Sequence, residues 1–406
     1  MGPMIIRLLD SYRRLALWLL QLRGKTPEDV AEERVISGQA WSEFCDTLKA
    51  AGATLHFPGT PKDGFNQAEG YRYLTRLARA GLENFMEYAD PAAPVLRRMV
   101  HETVKMGADN PDNYYQNCTI SSGHEYVIEG DRGTVAWLSF AVQAGHYGQE
   151  GGLRTTATLD ASRLVVDDEG RFTLHISREP RSGNWLPLDE GASLLIVRQT
   201  FLDRSRERIA RLAIRCVGEG VEPAAVSAQS VDEGLRNAGT LVAGASLLFA
   251  KWARDFSAHS NELPRFDQQV SDRAGGDPNI AYYHSHWALG PDEVLVIEAM
   301  PPECEHWNFQ LNNYWMESLA YRYYPVHTNK HLASYEKDGS VVIVVAHQDP
   351  GHPNWIHTVG HQNGTMCFRW VGAGENPQPR TRVMAMTDFR RERGRLPAGE
   401  EIHGQT

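Results

Sequence analysis

Histidine and arginine, the side chains best suited to move a proton or hold an anion, are unevenly placed in this 406-residue chain. Of its sixteen histidines, nine lie between His284 and His361, and the tightest group is His347, His352, His357 and His361. In extended chain His347 shares a face with Val345 and Ile343, while His357 and His361 share one with Trp355. That pattern can present three imidazoles, His347, His357 and His361, to one place. Zinc or iron would bind there with a position left open for water. The spacing does not match His-Glu-x-x-His, and Pro350, Pro353 and Gly360 also suit a loop in which histidines are simply solvated. A metal-dependent hydrolase or lyase is one expectation, and an ordinary polar loop is its alternative.

Arg198 and Arg369 each interrupt an apolar run. A guanidinium in such a strand demands an acceptor, because an unpaired buried charge is costly. The acceptor is either a carboxylate of the chain, with Glu129 and Glu298 in reach, or an anionic group of a ligand held bidentately. His124 and His284 each stand six positions before a glycine, Gly130 and Gly290. If they occupy one duplicated position they could act as an acid–base pair, with His286 beside them; otherwise each caps or bridges its strand. Trp185 and Trp355 belong to an excess of aromatic rings that suits an apolar or ring-bearing ligand, although most such rings serve packing.

These residues recur because the chain is duplicated. An acidic turn into Gly170, an alternating run (Phe172, Leu174, Ile176), a loop with Pro180, then Asn184-Trp185 and an apolar strand form the first copy. Asp338-Gly339, then Val341, Ile343 and Val345, a loop with Pro350 and Pro353, then Asn354-Trp355 and a strand form the second. A fixed order of turn, strand, Asn-Trp and strand indicates internal repetition. Gly183-Asn184-Trp185-Leu186-Pro187, and Asp338-Gly339-Ser340 with Asn354-Trp355-Ile356, resemble the marks of a bacterial family, the domain of unknown function numbered twelve-fourteen. Ile356-His357 stand where that family has Leu-Pro. The resemblance implies a mainly β domain and carries no catalytic residue.

The expected class is α+β: two related β modules packed as a sandwich or open barrel, with an N-terminal helical region and a helical insert between them. Neither copy alone shows enough strands to enclose a core. The boundaries read 1–108 helical, 109–204 first module, 205–276 helical insert, 277–388 second module and 389–406 a loose charged tail. Helices are expected over 26–51, 67–88, 93–106, 204–217 and 231–256. Residues 4–22 carry an apolar and a basic face, which fits docking on the body, contact with a second copy, or lying on an anionic membrane surface.

A formal charge of −10 disfavours general nucleic-acid binding. Five scattered cysteines suit a reducing compartment, so the expected location is cytoplasmic, free or peripheral to a membrane. No Gly-x-Ser-x-Gly elbow, phosphate loop or dinucleotide fingerprint is present, and no nucleotide cofactor is expected. The leading expectation is a small-molecule ligand, apolar or aromatic with an anionic end, in a pocket between the modules. Arg198 or Arg369 would hold the anion.

Overall fold

The computed structural model describes residues 25–147, 152–218 and 221–395; residues 4–22 and most of the charged tail lie outside them. Helix α1 (Pro27–Ile36) starts where Thr26 and Asp29 form a reciprocal capping box around Pro27. Gly38, at φ +77°, breaks the expected single helix and starts α2 (Gln39–Ala51). Asp63 caps α3 (Gly64–Leu82). The stretch 93–106 is not helical: Arg97 pairs with Asn117 as an isolated bridge, and the nearby Pro91 and Pro94 disfavour helical turns.

The first module contains β1 (Asn113–Thr119), β2 (Glu125–Asp131), β3 (Trp137–Gly145), β4 (Leu153–Asp160), β5 (Arg171–Ser177), β6 (Asn184–Pro187), β7 (Ala192–Thr200) and β8 (Arg211–Val217). The last was expected as helix, yet its exposure alternates residue by residue, the signature of a half-buried strand. It completes the first module beyond residue 204. The second contains β9 (Ile280–Ala288), β10 (Glu293–Ala299), β11 (His306–Leu311), β12 (His327–Asn329), β13 (Val341–Ala346), β14 (Trp355–His357), β15 (Asn363–Val371) and β16 (Arg380–Ala385).

The sheets of the first module run β1-β7-β3-β4 and β6-β5-β2-β8; those of the second run β9-β15-β11-β12 and β14-β13-β10-β16. Strand for strand these are the same orders, down to the single parallel pair in each copy, β5 with β6 and β13 with β14. The duplication is therefore topological as well as sequential. Each copy has enough strands to close its own core. Leu138, Phe140, Leu195 and Val197 from one sheet meet Tyr126, Ile128, Leu174 and Ile176 from the other. Trp287, Trp307, Phe368 and Trp370 meet Leu295, Ile297 and Val345 in the second copy. Burying each such side chain is worth about 1.5–3 kcal/mol.

Between the copies runs α4 (Ala228–Phe256), capped by Ser227, followed by the short α5 (Gln268–Arg273). The stripe Leu241, Val242, Ala245, Phe249 and Phe256 packs with Leu55, Tyr73 and Leu77 of the N-terminal helices and with Trp315 of the second module. A Cβ on Gly81 would sit 3.1 Å from the Ala238 Cα, so glycine there lets α3 and α4 cross closely. The chain ends its described part in α6 (Met386–Arg395), helical where a loose tail was expected. No helix among the described residues is long and apolar enough to cross a membrane.

Candidate functional site

The strand registers align the two copies residue by residue. Tyr115 on β1 stands opposite Arg198 on β7, and Tyr282 on β9 opposite Arg369 on β15. Two residues along each strand, Asn117 faces Ile196 and His284 faces Cys367. Arg198 and Arg369 are thus equivalent, as the sequence implied, and so are Tyr115 and Tyr282. His284 is equivalent to Asn117, not to His124. His124 lies in the turn before β2, beside Tyr126, because its glycine spacing matched a turn in one copy with mid-strand chain in the other.

The arginines cross over. Arg369 Nη2 donates to the Ala108 carbonyl at 2.6 Å, in the segment that leads into the first module. Arg198 Nη2 donates to the Gly275 carbonyl at 2.9 Å, in the segment that leads into the second. Ala108 and Gly275 hold the same place in their copies and both have left-handed backbone, φ +58° and +80°. The tyrosines repeat the pattern: the Tyr115 hydroxyl accepts from the Asn110 N–H at 3.0 Å and that of Tyr282 from the Asp277 N–H at 3.3 Å. Each module thereby clasps the entry strand of the other.

A cavity of about 630 Å³ lies at this crossing, bounded on one side by α4. Phe85, Tyr147, Phe249 and Trp252 join Tyr115 and Tyr282 in its wall, with Arg198, Arg369, Asn117, Gln143 and His284 as polar groups. The carboxylates of Asp109 and Glu233 also line it, and its size and mix of rings with polar groups suit a small molecule. The carboxylates expected to neutralise the arginines do something else. Glu129 pairs with Arg215 and Glu298 with Arg382, each at 3.7 Å, as equivalent cross-strand pairs on the outer sheets. Arg198 lies 3.8 Å from Asp277. Arg369 has no ion-pair partner among the described residues; Asn308 and Gln310 accept from it at 3.2 and 2.6 Å.

A crystal structure of an uncharacterized protein from Burkholderia cenocepacia is 45% identical, covering 88% of this chain and 99% of its own, with a TM-score of 0.86. The model of a family described as a protein of unknown function, DUF1214, matches residues 293–375. The chain belongs to the DUF1214 family. The VPA0106 protein from Vibrio parahaemolyticus covers 78% of this chain and 98% of its own at 12% identity and a TM-score of 0.44, too distant to carry any conclusion. No curated protein matches the sequence. The DUF1214 match covers β10 to β15 and so brings Arg369 into the cavity, while Arg198, Asn117 and Gln143 come from the first copy.

Other expected site residues of this DUF1214 protein fall elsewhere. Asn184 and Asn354 perform one structural task in both copies. Asn184 accepts from the Val165 N–H and donates to the Val165 and Thr173 carbonyls. Asn354 does the same with Ser334 and Val342. Trp185 and Trp355 donate to the carbonyls of Ser177 and Ala346 on the neighbouring strand, and neither lines the cavity. The Asn-Trp mark is a strand tie, not a binding surface.

His347, His357 and His361 separate as well. His347 bonds Thr358 Oγ1 at 2.8 Å, His357 stacks on Tyr324, and His361 packs edgewise on Phe65. No group of three or more His, Cys, Asp or Glu among the described residues is placed to hold a metal ion. Loop turns at Gly351 and Gly360 send these imidazoles to different neighbours, which removes the basis of the metal reading.

Of the proton-transfer candidates only His284 lines the cavity; His286 bonds Ser260 Oγ at 2.8 Å outside its wall. Burial, and then the charge of Arg369, push His284 down to about 3. Its ring lies parallel to those of Phe256 and Tyr282. At neutral pH it is an uncharged hydrogen-bonding group and a weak base. The residues missed from sequence were Tyr115, Tyr282, Asn117 and Gln143. The two tyrosines carried a signal, since each stands four positions after a proline, Pro111 and Pro278.

Proposed function

We propose that this protein binds an apolar or aromatic small molecule with an anionic end in the cavity at the crossing of its two modules. The observation that carries this is the convergence of two equivalent arginines on an aromatic cavity of about 630 Å³, with Asp277 the only carboxylate among the described residues within 4 Å of either guanidinium. Two buried guanidiniums on one cavity wall favour an anion there, since Coulomb attraction is weakly screened away from water. Rings such as Phe249, Trp252 and Tyr147 offer the apolar body its contact. His284 takes the part of a neutral hydrogen-bonding group at neutral pH.

Isothermal calorimetry with 3-phenylpropanoate and its uncharged amide tests this. The acid is expected to bind at least about tenfold more tightly than the amide. Equal affinities, or no binding of the acid, would refute the anion-binding role.

A further inference from the structure

The two copies present the same frame to the cavity, but they finish it differently. In the second copy the positions on β11 that flank Arg369 are Asn308, Gln310 and, just past the strand, Asn312. They close a network. Asn308 and Gln310 accept from Arg369, Gln310 donates to Asn312 Oδ1 at 2.6 Å and to the Asp109 carbonyl at 2.9 Å, and Asn312 donates to Thr365.

In the first copy the register puts Ser139, Ala141 and Gln143 at those places on β3. The Ala141 side chain has no polar atom, and Ser139 Oγ makes no hydrogen bond among the described residues. Among the described residues Arg198 is left with a single hydrogen bond, to the Gly275 carbonyl. Asp277 stays 3.8 Å away and is itself held by the Asn279 N–H and Nδ2 at 3.0 and 3.2 Å.

Gln143 sits where β3 bulges against both of its neighbours, a device that re-aims a side chain. Its Nε2 donates to the same Gly275 carbonyl that Arg198 uses, which fixes the amide's orientation and sets the two side chains side by side. Among the described residues its Oε1 has no partner although Gln143 is 1% exposed, and the same holds for Asn117 Oδ1 at 4%. Both residues line the cavity. A buried acceptor without a donor has given up its hydrogen bond to water, which a ligand O–H can replace.

We infer that the first copy contacts the ligand while the second is structural, and that the ligand is a 2-hydroxy acid with an apolar tail. Arg198 takes its carboxylate, and Gln143 Oε1 accepts from the neighbouring hydroxyl. An ammonium in place of the hydroxyl would lie beside Arg198 and be repelled, so the hydroxy acid is preferred to the amino acid. This inference rests on the anion-binding role of the cavity.

Calorimetry with 3-phenyllactate, 3-phenylpropanoate and phenylalanine tests it on the full chain. The hydroxy acid is expected to bind about tenfold more tightly than the plain acid, the worth of one good hydrogen bond. Gln143→Met is expected to bring the ratio of the two affinities to about one; if it does not fold, Gln143→Leu serves for the same comparison. Equal binding of the two acids, an unchanged preference in the variant, or tighter binding of phenylalanine overturns the hydroxy-acid assignment alone. Failure of both acids to bind overturns it together with the anion-binding role.

Discussion

Replacing each clasping arginine by methionine, which keeps length and removes every polar atom, should separate stability from binding. Arg369 donates to Asn308, Gln310 and the Ala108 carbonyl at 3.2, 2.6 and 2.6 Å in a fully buried setting. Hydrogen bonds from a charged donor are worth about 1.5–3 kcal/mol each. Relief of the guanidinium's desolvation offsets several kcal/mol of that, leaving a net loss for Arg369→Met of about 3–5 kcal/mol. Arg198 makes one such bond, at 2.9 Å, and its near neighbour Asp277 keeps two other donors. Arg198→Met should therefore cost only about 1–2 kcal/mol of stability while weakening 3-phenylpropanoate at least about tenfold. Urea unfolding at pH 7 followed by tryptophan emission measures the first effect, because Trp287, Trp307 and Trp370 are buried in the second core. Calorimetry measures the second. If Arg198→Met proves the less stable variant, the contrast between a closed and an open arginine network does not govern this fold.

Asn354→Leu strands the Ser334 N–H and the Ser334 and Val342 carbonyls and should cost about 2–3 kcal/mol in urea unfolding, with probe affinity unchanged. Gly275→Ala forces a Cβ onto a backbone at φ +80° and within 2.9 Å of Gln143 Nε2, so a loss of about 1–2 kcal/mol and weaker binding of 3-phenyllactate are expected. His284 titrates near 3 in the fold and near 6.5 when unfolded. The native state resists that proton, so its stabilising contribution is complete above about pH 6.5 and declines as pH falls toward 3. His284→Asn, which installs the residue of the other copy, should lose about 2 kcal/mol less than the parent between pH 7 and pH 4.5, read from urea midpoints. A parallel decline in both proteins would exclude His284 as its source.

The repeat was legible because its marks are local: the turn glycines Gly170 and Gly339, the alternating cores of β5 and β13, and the Asn-Trp pairs all sit within a few residues of one another. Sequence distance hid the rest. Residues 211–217 were expected to be helical although Leu212, Ile214 and Cys216 recur with the period of a strand, whose partner, β2, lies some eighty positions upstream. Arg198 and Arg369 were recognisable as buried charges, but their acceptors are backbone carbonyls, which no side-chain pattern announces. Trp185 and Trp355 looked like ligand contacts because indoles serve both purposes; only their bonds to a neighbouring strand assign them to architecture. The loop histidines clustered along the chain and dispersed in space, since tight turns between them rotate each ring toward a different neighbour.

The reciprocal arginine clasps have a thermodynamic corollary. With Ala108 held from the second copy and Gly275 from the first, the cavity exists only while the two copies remain docked. Occupancy and docking are then linked equilibria: whatever free energy a guest gains from the assembled walls, it returns as resistance to their parting, by the same factor in both directions.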